Sequence, residues 1–103
     1  MPNVTAKTVL IIEEDDRLRV VYAMFLDDLK LRTISVTSEN DVDQIMTSET
    51  RVDYLLHRGN AHVVADRYFE ITGRVLKILP AIDFSAPELP ALAELRNTFL
   101  QAV

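Results

Sequence analysis

The hydrophobic positions of this chain fall into short blocks that alternate between two spacings. Val9-Leu10-Ile11-Ile12 is a continuous apolar run that stops at Glu13-Glu14-Asp15-Asp16, the pattern of a strand buried on both faces. Leu18, Val21, Tyr22, Phe25, Leu26 and Leu29 then recur at helical spacing, while Arg17, Arg19, Asp27, Asp28 and Lys30 lie mostly off that stripe. Asp15 or Asp16 is placed to cap the free N–H groups at the helix start. Thr33-Ile34-Ser35-Val36-Thr37 alternates with β-branched residues and predicts a second strand. Ser38 with Asp41 resembles a capping box, although Asp is a weaker partner than Glu, and it opens a short helix carrying Val42, Ile45 and Met46.

The second half repeats the alternation. Val52-Asp53-Tyr54-Leu55-Leu56 reads as a third strand and Gly59-Asn60 as a turn. A helix is predicted from Ala61 to Thr72, with Val64, Ala65, Tyr68 and Ile71 inward and Gly73 as its left-handed cap. Val75-Leu76-Lys77-Ile78-Leu79 is a fourth strand, closed by Pro80. Ser85 and Glu88 form a second capping box, with Pro87 in the first turn, where its missing N–H is of little consequence. The helix that follows runs to about Gln101, with Leu89, Leu92, Ala93, Arg96, Phe99 and Leu100 on one side. The order βαβαβαβα predicts a parallel sheet with helices on both faces. Right-handed crossovers leave few topologies. The expected fold is α/β, a flavodoxin-like three-layer sandwich with a shortened parallel sheet in the order 2-1-3-4. Neither an internal repeat nor a linker interrupts it, so residues 1–103 are read as a single domain.

Composition narrows the function classes. The chain is 49% hydrophobic with only 2 Gly, 4 Pro and no Cys. It has enough apolar residues for a core without disulfides, and it offers no thiolate for a metal or for nucleophilic catalysis. No apolar run approaches the roughly 20 residues of a membrane helix, and no charged segment followed by an apolar stretch opens the chain. A cytoplasmic protein without a membrane role is the expectation. The charge is uneven: residues 1–50 hold 5 basic and 10 acidic side chains, residues 51–77 hold 5 and 3, and residues 78–103 hold 1 and 3. A middle excess of two positive charges is too small a footprint for nucleic acid, which is not expected as a partner.

Strand, acidic cluster and amphipathic helix together resemble the opening of a response-regulator receiver domain. The stretch from Val9 to Arg19 carries the likeness best, and the spacing to the second strand and helix agrees with it. Val52-Asp53-Tyr54-Leu55-Leu56 is similar to that family's third strand, and Ile82-Asp83-Phe84 through Leu89 to the start of its last helix. The resemblance implies a phosphoryl acceptor Asp just after the third strand, a hydroxyl after the fourth, and a Lys before Phe84. In this chain those positions hold Arg58 (His57 if the register slips by one), Pro80 and Ile82. A guanidinium is no nucleophile at neutral pH, because it stays protonated. The chain is also shorter than the family by about one βα unit, with four strands where a receiver has five. The resemblance is therefore to a shortened, degenerate receiver: a pseudo-receiver without phosphoacceptance or catalysis.

The acidic cluster at Glu13, Glu14 and Asp15 has three readings: a Mg²⁺ site, a solvated loop that caps the next helix, or a set of carboxylates neutralised by the fixed cation Arg58. The last is favoured, and no metal or other cofactor is expected. His62, Asp66 and Glu70 share one helical face, but a single His in that array reads as a solvated helix rather than a metal site. Phe25, Tyr68 and Phe99 lie on apolar stripes and read as core. The fourth strand would be an apolar edge interrupted only by Lys77, and such edges are usually covered. A homodimer through Leu76, Ile78, Leu92, Leu95 and Phe99 would cover it.

The expected function is a phosphorylation-independent, non-catalytic signalling domain in bacterial regulation. The resemblance implies a histidine kinase, another regulator or an output domain as partner. Two alternatives remain: a phosphoacceptor using a non-standard residue such as His57, and a module holding an anionic small ligand or nucleotide at the strand carboxyl ends through Arg58, His57 and Lys77.

Overall fold

The computed structural model describes residues 7–47 and 51–80, together with 97, 98, 100 and 101. Along the chain run β1 (Thr8–Ile12), α1 (Asp16–Asp28), β2 (Arg32–Val36), a short 3-10 turn (Glu39–Asp41) leading into α2 (Val42–Thr47), β3 (Tyr54–His57), α3 (Ala61–Thr72) and β4 (Lys77–Ile78). The four strands form one all-parallel sheet in the order β2-β1-β3-β4. Among the described residues no helix is long and apolar enough to cross a membrane.

The apolar run of β1 is explained by its central place. Every residue of β1 is buried, because successive side chains enter opposite faces and both faces are covered. Val9 and Ile11 join Tyr54, Leu56 and Leu79 beneath α1, where Tyr22 and Leu26 are fully buried. Leu10 and Ile12 join Leu55 on the other face, against Val42 and Met46 of α2 and Ala61, Val64 and Tyr68 of α3. Tyr68 also carries its hydroxyl into that core, where it accepts the Val52 N–H at 3.1 Å. The edge strand β2 is only partly covered, in keeping with its alternation of polar and β-branched residues.

Helix ends follow their local chemistry. Asp15 is the N-cap of α1, its Oδ1 accepting the N–H groups of Arg17 at 2.9 Å and Leu18 at 3.4 Å. The other end closes through Lys30 at φ 64°, with Lys30 N–H on the Asp27 carbonyl and Leu31 N–H on the Leu26 carbonyl, the paired bonds of a Schellman motif. Gly73 closes α3 at φ 75°. Thr37 and Ser38 both donate to the Asp41 carboxylate, at 3.0 and 3.5 Å, and their turn delivers the chain into α2.

Three expectations change. β3 is shifted to Tyr54–His57, because Asp53 turns its carboxylate onto the Thr8 N–H at 3.0 Å while its own N–H bonds the Thr8 carbonyl. β4 is two residues long rather than five: its ladder begins with Lys77 N–H on the Asp53 carbonyl, and Val75 before it is 77% exposed. Ile71 does not face inward and is 48% exposed. The buried line of α3 passes from Val64 to Tyr68 at a spacing of four, and Ile71 falls on its flank. Of the helix expected after Ser85, residues 97, 98, 100 and 101 are helical and Leu100 is exposed. Ile82, Leu89, Leu92, Ala93, Leu95, Arg96 and Phe99 lie outside the described residues.

A Cβ added at Gly73 would meet nothing within 4 Å, so replacement there acts only through the left-handed backbone. Gly73→Ala is expected to lower stability by about 1–2 kcal/mol in urea unfolding without changing the m-value.

Candidate functional site at the strand carboxyl ends

The parallel register pairs Ile12 with His57, so one residue further along each strand Glu13 stands beside Arg58. Both continue the phase of the face beneath α1, since alternate residues share a face. The register therefore fixes the candidate site. Glu13 is 4% exposed, and a carboxylate that deep must be paired to remain charged. Arg58 meets it side-on, with Nε 2.7 Å from Oε1 and Nη2 2.9 Å from Oε2. Such bidentate pairs match the planar fork of the guanidinium to the carboxylate.

The rest of Glu13 is satisfied locally. Oε2 also accepts the Asp15 N–H at 3.1 Å, the Glu13 N–H donates to the Val36 carbonyl at 3.1 Å, and the Glu13 carbonyl accepts Nη1 of Arg19 at 2.7 Å. Arg19 is anchored in turn on Asp16. Glu13 thus ties together β1, the end of β2, the start of α1 and the β3–α3 loop. Among the described residues no buried side-chain nitrogen or oxygen lacks a hydrogen-bond partner.

Beside this pair lies an open depression of about 340 Å³, lined by Ile12, Glu13, Glu14, Thr37, Ser38, His57, Arg58 and Gly59. It lies where ligands bind in open parallel α/β sheets, at the strand carboxyl ends. The charges around it are largely internal. The hydrogen bond to Glu13 holds the Arg58 guanidinium above its ordinary value, with burial opposing it. A raised value leaves the arginine charged, and its contribution present, at every pH below its ordinary value. Arg58 is 46% exposed while the Glu13 side chain is 2% exposed. The cation therefore forms a lid over the anion.

The three acidic residues have separate fates. Glu13 is the buried partner of Arg58, Glu14 is exposed on the rim, and Asp15 serves as the cap of α1. The Asp15 carboxyl is held below its ordinary value, chiefly by the Arg17 N–H, with desolvation opposing. Pro80 is exposed beyond the end of β4 and does not line the depression. Lys77 pairs with Tyr54 at the amino end of β3, so it does not join Arg58 and His57 in an anion site. Leu76 and Ile78 belong to the core cluster with α2 and α3, whereas Val75 and Lys77 are exposed. His62, Asp66 and Glu70 are exposed on α3, and among the described residues no group of three or more His, Asp or Glu gathers as a metal site.

The sequence reading did not anticipate Arg19, Thr37 and Ser38 as parts of this region. Arg19 falls off the apolar stripe of α1, so periodicity marks it only as solvent-facing. Its placement one turn after the acidic run is the signal that it can turn back onto the loop.

Replacing the lid should expose its structural role. Arg58→Ala is expected to lower stability by about 1–3 kcal/mol, because it leaves a buried carboxylate without its cation, and half-exposure of the site limits the loss. Urea unfolding of the single and the Glu13→Gln/Arg58→Ala double variant measures it, and the double variant should lose less than the two singles together. Asp15→Ala should remove the part of the stability that disappears as pH falls below about 3.8, because a lowered carboxyl stabilises the folded state above its unfolded value. Acid unfolding curves of Asp15→Ala and Asp15→Asn against the parent check this.

No family model matches this chain, and no curated protein or solved structure matches it significantly.

Proposed function

We propose that this chain is a phosphorylation-independent, non-catalytic signalling domain of receiver-like, flavodoxin-type layout that acts through contact with other proteins. The observation that carries the reading is the bidentate Arg58–Glu13 pair. In the family that the sequence resembles, the end of the third strand accepts a phosphoryl group beside a metal held by the acidic cluster. Here the residue at that place is a cation. It cannot attack phosphorus, and it occupies the carboxylate that a metal would use.

The same pair weighs against a small-anion site, because the guanidinium is already neutralised by Glu13. The partners that suit the resemblance are a histidine kinase, another regulator or an output domain. A second copy of this chain is a further candidate, and a monomer mass by light scattering at micromolar concentration excludes it.

Amide NMR spectra recorded before and after Mg²⁺ with beryllofluoride or acetyl phosphate test the proposal. An unchanged spectrum of the folded protein is expected. Shifts confined to residues 13–16 and 57–59 would overturn it, since they would mean that a phosphate-type site operates. A base-stable label on His57 after acetyl phosphate would establish the phosphoacceptor alternative instead.

A further inference from the structure

The parallel sheet gathers cations at one end. All four strands start at the same edge, with Arg32 level with Thr8 and Lys77 level with Tyr54. Each strand enters beside a basic side chain: Lys7 before β1, Lys30 and Arg32 at β2, Arg51 before β3, Arg74 and Lys77 at β4. All six are exposed. Helix C-termini favour nearby cations, which accounts for Lys30 after α1 and Arg74 after α3. It does not account for the cations at the strand starts. Arg51 is paired with Asp53 at 3.1 Å, and Lys7 lies 5.7 Å from the centre of the Tyr54 ring. Among the described residues the side chains of Lys30, Arg32, Arg74 and Lys77 have no carboxylate partner. Asp27, Asp28, Asp53 and Glu70 lower the positive excess of this edge without reversing it.

The carboxyl end of the sheet has the opposite sign. Arg58 is matched to Glu13, Arg19 to Asp16 and Arg17 to Asp15. Glu14 and Asp41 are exposed, and among the described residues neither has a cation beside it. Asp41 accepts the neutral hydroxyls of Thr37 and Ser38, which leave its charge in place. β1 has five residues, so about 16 Å of strand separates the two ends. One molecule therefore cannot join its own cations to these carboxylates, whereas a second copy can.

We propose that the chain associates with itself head to tail, the basic strand starts of one copy meeting the Glu14 and Asp41 carboxylates of the next. Charge complementarity names the partner, because every copy carries both surfaces. Such a contact uses different surfaces on the two copies and leaves one end of each kind open, so it propagates or closes into a ring. The net charge of −5 sets its salt dependence. Where screening is weak, the copies repel as whole molecules. At about 0.1 M salt the screening length of about 10 Å is shorter than the strand, so facing charges attract while remote like charges are silent. At about 1 M it falls to about 3 Å, and the facing charges are screened as well. The inference rests on the reading that the domain works through protein contact. Its failure leaves that reading standing, since the beryllofluoride spectra test the reading separately.

Light scattering of the full chain at micromolar concentration, across a salt series, tests the proposal. At about 0.1 M salt the mass is expected to exceed one chain and to rise with concentration without levelling at two; at about 1 M it should fall to one chain. Two variants block one end each. Arg74→Glu/Lys77→Glu reverses the basic end. Glu14→Lys/Asp41→Asn reverses the acidic end, and Asn keeps an acceptor for Thr37 and Ser38. Each variant alone should show the mass of one chain. Their equimolar mixture should level at two chains, because the untouched acidic end of the first fits the untouched basic end of the second. A parent mass of one chain at about 0.1 M, or a raised mass that persists at about 1 M, overturns the proposal. So does a parent mass that levels at two chains, or a mixture that stays at one. The parent salt series decides the matter even if a variant fails to fold.

Discussion

A carboxylate buried at the end of a central strand constrains everything around it. At 4% exposure the Glu13 carboxylate is paired with the Arg58 guanidinium and accepts the Asp15 N–H, while its backbone carbonyl and N–H are bonded to further parts of the chain. Arg58 arrives from the β3–α3 loop, the Asp15 N–H from the start of α1, and Arg19 from one turn later, while the Glu13 N–H reaches across to β2. Register makes this possible, because parallel pairing of Ile12 with His57 leaves Glu13 and Arg58 as the next facing residues. An out-of-register β3 would set Arg58 on the other face and leave Glu13 unpaired.

That constraint separates what the sequence makes legible from what it does not. The order of elements and the parallel sheet follow from the fully apolar β1 and the helical stripe through Tyr22 and Leu26, signals strong enough to survive local detail. The short β4 does not follow. Val75 and Leu76 have strand-forming side chains, but whether a residue joins a ladder depends on where the neighbouring strand offers its carbonyls, and β3 offers them from Asp53 onward. Ile71 fails for a related reason. Its letter is apolar, yet it lies on the flank of a stripe defined by what the sheet can cover.

The candidate site shows the same division. That a cation meets the acidic run is legible from Arg58 after the third strand, but which carboxylate it meets is not. Glu13, Glu14 and Asp15 are chemically alike in sequence. Pleat phase sends Glu13 inward, helix capping takes Asp15, and Glu14 is left on the rim.

These assignments bear on how such a surface could be recognised. A guanidinium locked side-on to a carboxylate presents little net charge from that pair, so the pair itself contributes little long-range steering. What the surface offers is short-range: an open depression, the hydroxyls of Thr37 and Ser38, the Glu14 carboxylate, the imidazole of His57 and the outer edge of Arg58. Contacts of that kind reward shape and hydrogen-bond geometry rather than net charge. The Arg58–Glu13 pair fixes the floor of that surface, and the side chains that shape its rim are those of the turn and loop beside it.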